Sequence, residues 1–113
     1  MRLPGAERAH VDPTKVRDYL LSHEHRFGRS KAAIFEGLGY RRSEWRRLQR
    51  DLKRTALANG AVLEKLLIYG LVYRLSVILQ GPSGRTAALT TVWTVRIGER
   101  FPRLVAAFPG EMP

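Results

Sequence analysis

Two histidines and three cations lie within one short segment of this sequence, His23-Glu24-His25-Arg26-Phe27-Gly28-Arg29-Ser30-Lys31. Histidine is the side chain that gains and loses a proton most readily near neutral pH. RNA cleavage without a metal needs a base that takes a proton from a 2′-hydroxyl, and cations that stabilise the attacked phosphate. The segment carries both kinds of group and leads into a predicted helix, whose first amides attract phosphate. It therefore predicts a site that cuts RNA and leaves a cyclic phosphate.

Two other interpretations of this segment stay open. The first is a solvated loop whose histidines have no chemical role. The second is a metal site, but His23 and His25 have only Glu24 nearby and no second pair of ligands at a recognised spacing, so no metal is expected. The sequence has no cysteine and no Gly-x-Ser-x-Gly motif, which excludes thiol chemistry and leaves a serine triad without support. His10, beside a predicted helix cap, is interpreted as a surface or packing residue, and no cofactor is predicted.

Positive charge is the main feature of the composition. The 113 residues include 20 Lys or Arg and 10 Asp or Glu, a formal net charge of +10. The densest stretch predicts a face that binds a phosphate backbone, and its basic residues are Arg41, Arg42, Arg46, Arg47, Arg50, Lys53 and Arg54. An acidic protein that imitates nucleic acid fits the same charge. The alternative is a solvated helix face that keeps the protein in solution.

Before Asn59 the apolar residues recur at helical spacing and predict three helices. Asp12 caps the first, with Val16, Tyr19 and Leu20 on its buried face. The second begins near Ser30 and buries Ala32, Ala33, Phe35 and Leu38. Ser43 caps the third, which buries Trp45, Leu48, Leu52 and Ala56 and ends at Asn59-Gly60.

After Gly60 the period becomes two. Strands are predicted within 62–67, 71–80, 89–97 and 104–108, with a turn at Gly81-Pro82-Ser83-Gly84. Side chains repeat every second residue on a sheet face, so Arg74 lies beside Ser76, and Thr94 beside Arg96. Trp93 is expected in the core. The predicted class is α+β, with three N-terminal helices packed on one antiparallel sheet of three to four strands. One domain is expected over residues 1–113, with a helical part at 12–59, a sheet part at 61–108 and a frayed end at 110–113.

Three strings in the sequence carry a family resemblance. The first is Leu3-Pro4-Gly5-Ala6-Glu7-Arg8-Ala9, followed by Asp12-Pro13-Thr14-Lys15, and the second is His25-Arg26-Phe27-Gly28-Arg29-Ser30-Lys31-Ala32-Ala33-Ile34-Phe35, followed by Leu38-Gly39-Tyr40. The third is Thr91-Val92-Trp93-Thr94-Val95, followed by Pro102-Arg103-Leu104-Val105 and Phe108-Pro109-Gly110. Together they resemble the bacterial domain of unknown function 6883 over nearly the whole chain. More remotely, the layout is similar to the barnase–EndoU–colicin–RelE-like ribonucleases, which are metal-independent toxins.

This resemblance implies a set of site residues. His25, Arg29 and Lys31 would lie in the active site, joined by Arg96 or Arg85 from the sheet. The chain departs from the expected closing strand, since Ala106 and Phe108 stand where hydroxyl-bearing residues are expected. By the alternation Leu104, Ala106, Phe108, the last two share one side of the sheet.

The leading hypothesis is a metal-independent RNA-cleaving domain of a bacterial toxin–antitoxin or polymorphic toxin system. A second is a nucleic-acid-binding module without catalysis, because residues 30–54 resemble a helix-turn-helix. A third is an inactive relative that acts as a protein-interaction partner. RNA and an acidic antitoxin or immunity protein are the expected partners. No apolar run is long enough for a membrane helix, and the absence of cysteine and of an apolar leader predicts a cytoplasmic location.

Overall fold

The computed structural model describes residues 1–24 and 29–110, with the backbone alone at Arg29 and Ser30. The helices are α1 (Pro13–Lys15), continued by a π-helical turn (Val16–Leu20), α2 (Arg29–Gly37) and α3 (Trp45–Thr55). The strands are β1 (Val62–Leu67), β2 (Gly70–Gln80), β3 (Thr86–Arg96) and β4 (Arg103–Pro109), hydrogen-bonded in that order and all antiparallel. The predicted α+β class is confirmed. The prediction for His25, and that of a frayed end over residues 111–113, fall outside the described residues.

The first helix begins at its predicted cap and then widens. The Asp12 carboxylate accepts a hydrogen bond from the Thr14 amide at 2.8 Å. The Leu21 amide donates to the Val16 carbonyl, five residues earlier, at 3.0 Å, which makes the second turn a π-helical one. Because the wide turn accommodates an extra residue, Leu20 and Leu21 are both buried in the core.

Two details predicted for the other helices are wrong. Ala33 is exposed, because α2 presents Ala32 and Phe35 to the core and Ala33 lies about 100° away from Ala32 around the helix. Ser43 does not cap α3, since it lies inside a 3₁₀ turn over Arg42–Glu44 and no side chain caps the helix that follows. A residue already in a helical turn lacks the extended backbone of a capping position.

The buried stripe of α3 is otherwise the predicted one. Leu48, Leu52 and Ala56 have no exposed area. Trp45 is only half-buried, and the Arg46 guanidinium lies 4.5 Å from the centre of its ring. Trp45 therefore contributes both to the edge of the core and to a cation–π contact on the surface.

Alternation along β2 and β3 separates two faces of the sheet. Tyr73, Leu75 and Trp93 lie on the core face with the helices, and the Trp93 indole N–H donates to the Thr91 hydroxyl at 2.8 Å. The other face, which we call the open face, lies away from the helices. It carries Val72, Arg74, Ser76, Thr90, Val92, Thr94 and Arg96. The predicted sharing of one face by Arg74 with Ser76, and by Thr94 with Arg96, is found.

A bulge at Val105 changes the predicted alternation of β4. The pairing shifts by one residue between Val92 and Trp93, which leaves Val105 without a partner on β3. Leu104 and Ala107 consequently both reach the core. Ala106 and Phe108 share the open face, as predicted, but Leu104 does not lie on their side.

β1 forms where the sequence predicts it but buries none of its side chains. All six of its residues are exposed, and Ile68 in the following turn is 94% exposed. β1 pairs with β2 only from Gly70 to Arg74. Within the described part of the chain, no strand pairs with Leu75–Gln80 of β2 on that side.

The β2–β3 turn docks on the end of α2 through a glycine. A Cβ atom at Gly81 would lie 2.1 Å from the carbonyl oxygen of Leu38, and the Ser83 amide donates to that same oxygen at 3.0 Å. The obstacle is backbone and cannot rotate away. We therefore expect Gly81→Ala to lower the free energy of unfolding by about 1–3 kcal/mol, measured by urea denaturation. Gly37→Ala, where an added Cβ meets nothing within 4 Å, is the control and should show no such loss.

Candidate functional site

A cavity of about 680 Å³ opens at one end of the open face. Its walls come from the segment before α1, from α1 itself, from the β1–β2 turn, and from the ends of β3 and β4. We call it the open-face cavity, and its lining residues are His10, Asp12, Lys15, Tyr69, Thr94, Arg96, Arg103, Leu104 and Val105. Three of these are permanent cations, one is a carboxylate and one is an imidazole, so the cavity has a positive balance.

The segment before α1 pairs with the start of β4. The His10 amide donates to the Pro102 carbonyl at 2.8 Å, and the His10 carbonyl accepts from the Leu104 amide at 2.9 Å. This short parallel bridge places His10 beside Arg103. The bridge fixes the backbone of the half-buried His10, and both His10 and Arg103 line the cavity.

Arg103 is itself oriented by a carboxylate. Its Nε and one terminal nitrogen donate to the two oxygens of Glu99 at 2.9 and 2.7 Å, a bidentate pair that fixes the plane of the guanidinium. This contact lowers the pKa of Glu99 below its ordinary value of 4.5, and the nearby charges of Arg96 and His10 act in the same direction. Arg96 and His10 therefore lie close to the same carboxylate.

The lowered pKa of Glu99 predicts a pH dependence of stability. A carboxyl group with a lower pKa in the folded state stabilises the fold above its unfolded pKa, and loses that contribution as pH falls through the folded value. We expect Glu99→Gln to lower the urea midpoint at pH 7, and expect the difference from the unaltered chain to narrow below pH 4.5. The exposed Glu7→Gln is the control. A difference that stays constant down to pH 3 would contradict the prediction.

Lys15 and Lys31 extend the positive charge along the edge of β4. The Lys15 ammonium donates to the Val105 carbonyl at 2.9 Å, at the bulge. It lies 5.6 Å from the centre of the Tyr19 ring, and the Lys31 ammonium lies 5.0 Å from that centre. Lys31 also lies 5.9 Å from the centre of the Phe108 ring. Two ammonium groups thus approach one aromatic ring, and one of them lines the open-face cavity.

The sequence-predicted site residues have different positions. Arg96 lies in the open-face cavity, whereas Lys31 lies beside Tyr19 and is not among the residues lining it. His25 and the Arg29 side chain are outside the described residues. Arg85 is exposed in the β2–β3 turn and does not line this cavity. His23 contacts the Glu36 carboxylate.

All seven basic side chains of the Arg41–Arg54 stretch are exposed, but they do not form a uniform face. Arg17 donates to the Asp18 carboxylate at 3.0 and 2.9 Å, and Arg42 donates to it at 3.2 Å. The Arg17 contact and, after it, the Arg42 contact lower the pKa of Asp18. Arg47, Arg50 and Arg54 line a groove between α3 and β2. The stretch lies on the helical layer, on the side of the sheet opposite the open face.

Sequence reasoning missed three cavity residues, His10, Lys15 and Arg103. The sequence contains little that would identify them, because the bridge between His10 and Arg103 joins residues from opposite ends of the chain. In chemical terms, the cavity presents cations for phosphate oxygens and an imidazole that can exchange a proton. Among residues 1–24 and 29–110, no three His, Asp or Glu side chains come together as metal ligands, and no helix is long and apolar enough to cross a bilayer.

Comparison with known proteins shows the family of the chain and a likeness of its fold to a solved structure. The family described as Domain of unknown function (DUF6883) matches residues 2–111. No curated protein matches the sequence. A chain of a solved complex, a contact-dependent growth inhibition toxin with its immunity protein from Klebsiella pneumoniae 342, superposes with a TM-score of 0.74 at 16% identity, covering 95% of this chain and 97% of that one. At this identity the likeness shows a shared fold.

Proposed function

This chain belongs to the DUF6883 family, and we propose that it is an RNA-cleaving toxin domain of a bacterial toxin–antitoxin or polymorphic toxin system. The observation that carries the proposal is the convergence of Lys15, Arg96, Arg103 and His10 on the open-face cavity. The fold shared with a chain of a toxin–immunity complex supports it by analogy.

The proposed reaction uses groups of the chain itself. An imidazole takes the proton from a 2′-hydroxyl, and that oxygen attacks the adjacent phosphorus. The bond from phosphorus to the 5′-oxygen breaks, and the leaving oxygen takes up a proton from an imidazolium. The products are a 2′,3′-cyclic phosphate and a 5′-hydroxyl. Arg96 and Arg103 bind the phosphate oxygens and stabilise the charge that develops during attack.

Two histidines are candidates for the proton transfer. His10 is the imidazole that lines the open-face cavity. His25 is the one implied by the family resemblance, together with Arg29 and Lys31. An RNA strand that extends out of the cavity past Lys15 would cross the Tyr19 ring and reach Lys31. The two groups of residues would then serve one bound strand.

The test is cleavage of total RNA by the purified chain in the presence of EDTA. We expect discrete fragments that end in cyclic phosphate, detected by gel electrophoresis and end-group mass spectrometry. RNA that stays intact both with and without EDTA would refute the proposal that the chain is a ribonuclease. A shift of random duplex DNA without any cleavage would favour the non-catalytic binding module instead.

Binding can be measured separately from cleavage. We expect Arg96→Gln to weaken binding of a single-stranded DNA of mixed sequence, which lacks the attacking hydroxyl. The slope of log affinity against log salt should become less steep by about 0.7, since one phosphate contact is lost. Fluorescence anisotropy at several salt concentrations measures both quantities. Arg2→Gln, an exposed residue outside the cavity, is the control, and an unchanged slope for Arg96→Gln would remove this residue from the phosphate site.

A further inference from the structure

Another cavity lies between α3 and the part of β2 that does not pair with β1. It has a volume of about 790 Å³. Arg47, Arg50 and Arg54, which recur at helical spacing, line it from α3, and Asp51 is the only acidic residue among the described residues of its lining. Its apolar lining residues are Leu57, Ala58, Val77, Ile78, Leu79 and Pro82, of which Ile78 is 65% exposed. We call this cavity the α3–β2 groove.

The strand that borders this groove has a hydrogen-bonding edge that no other strand in residues 1–24 and 29–110 pairs with. The Gly81 amide donates to the Arg85 carbonyl and the Ile97 amide to the Tyr69 carbonyl, so the odd-numbered residues of β2 direct their backbone groups toward β3. The even-numbered residues direct theirs to the other side. β1 occupies that side only as far as Arg74.

Ser76, Ile78 and Gln80 therefore present backbone donors and acceptors away from β3. Ile78 and Gln80 also line the α3–β2 groove. The free stretch from Leu75 to Gln80 is long enough for a short added strand, because strands of about five or six residues are typical. An unpaired edge of this kind accepts a peptide by strand addition.

We propose that the α3–β2 groove binds an extended acidic segment of a partner protein, which adds to β2 as a strand. Its backbone pairs with Ser76, Ile78 and Gln80, and its carboxylates contact Arg47, Arg50 and Arg54. Asp51 forms long ion pairs with Arg50 at 3.8 Å and Arg54 at 4.0 Å and also accepts a hydrogen bond from the Tyr40 hydroxyl. One carboxylate thus faces three guanidinium groups, and the charges of these four side chains sum to a positive value.

Charge and chemistry select this occupant over two others. A second copy of the chain would bring its own basic surface, at a net charge of +10 per chain, against the same arginines. RNA has no backbone amides to pair with a strand edge, and the groove has an apolar floor. The open-face cavity lies on the other layer of the fold, so the inference does not depend on RNA cleavage.

The test is fluorescence anisotropy with a short labelled peptide in which glutamate alternates with valine. We expect the triple variant Arg47→Glu, Arg50→Glu, Arg54→Glu to lose about tenfold or more in affinity. The matched triple variant Arg41→Glu, Arg46→Glu, Lys53→Glu changes net charge equally at exposed positions outside the groove, and should lose about twofold at most. Equal losses of affinity in the two triple variants would show that only the net charge of the chain attracts the peptide, and would overturn the proposal.

Two further arms test the strand addition itself. A peptide with the same side chains but N-methylated at alternate backbone positions should bind at least about tenfold more weakly, because it cannot pair with the edge. The amide NMR signals of Ser76, Ile78 and Gln80 should shift when the unmodified peptide binds. The proposal would be overturned by any of three results. The N-methylated peptide could bind as tightly as the unmodified one, an RNA oligomer could displace the peptide with loss of these shifts, or the free chain could dimerise.

Discussion

RNA cleavage by a His10→Ala variant is expected to be about a hundred- to ten-thousand-fold slower than by the unaltered chain. His10 is the imidazole of the open-face cavity, where Arg96 and Arg103 can bind the phosphate that is attacked. The rate is measured in EDTA on a short labelled RNA. Because the backbone of His10 makes the bridge to β4, and alanine retains that backbone, the melting temperature should stay within a few degrees.

His25→Ala is the companion variant, since the family resemblance places that histidine in the active site. A large loss for His10→Ala and a small one for His25→Ala would assign the proton transfer to the cavity. The reverse result would assign it to the segment before α2 and would remove His10 from the mechanism. Large losses in both would fit one histidine as base and the other as acid. His23→Ala is the control, because His23 contacts Glu36.

The double variant Ala106→Thr with Phe108→Tyr is expected to cleave RNA about a hundred- to a thousand-fold faster. Both positions lie on the open face, where they pair with Val92 and Thr90. The new hydroxyls would restore donors that the resemblance leads one to expect in the closing strand. A hydroxyl on Phe108 would extend a ring whose centre already lies 5.9 Å from the Lys31 ammonium.

Ala107→Thr is the matched control for this variant. Ala107 is 1% exposed on the core face, so its added hydroxyl would be buried and should cost about 1–3 kcal/mol of stability if unpaired. The double variant should keep its melting temperature, and the control should lose several degrees, by differential scanning calorimetry. A double variant that melts early without faster cleavage would show that the open face is not the active face.

The elements of the fold could be predicted because each has a clear period. Leu48, Leu52 and Ala56 mark α3 at helical spacing, and the alternation around Trp93 marks β3. In two elements the structure differs from the predicted pattern by a single extra residue. The π-helical turn before Leu21 and the bulge at Val105 each insert one residue, and such insertions depend on packing that local sequence does not encode.

The candidate site was harder to predict than the fold. Arg96 could be assigned to the sheet because β-strand alternation fixes its face. His10 could not be assigned to the site from the sequence. Its place in the cavity depends on its bridge to Arg103, which lies far away in the chain and comes beside it only on folding. The basic stretch of α3 was visible as charge, but its division between the α3–β2 groove and contacts such as Arg42 with Asp18 follows from the neighbours of each side chain.

The exposure of β1 has a consequence for how the molecule opens. A strand that buries no side chain is held mainly by its hydrogen bonds to Gly70–Arg74, so its separation from the sheet costs far less than global unfolding. We therefore expect its amides to exchange with solvent through local opening, and expect those around the buried Trp93 to exchange only on global unfolding. The buried core would then stay folded while β1 separates from the sheet. Each such separation would extend the unpaired edge of β2 to include Gly70–Arg74.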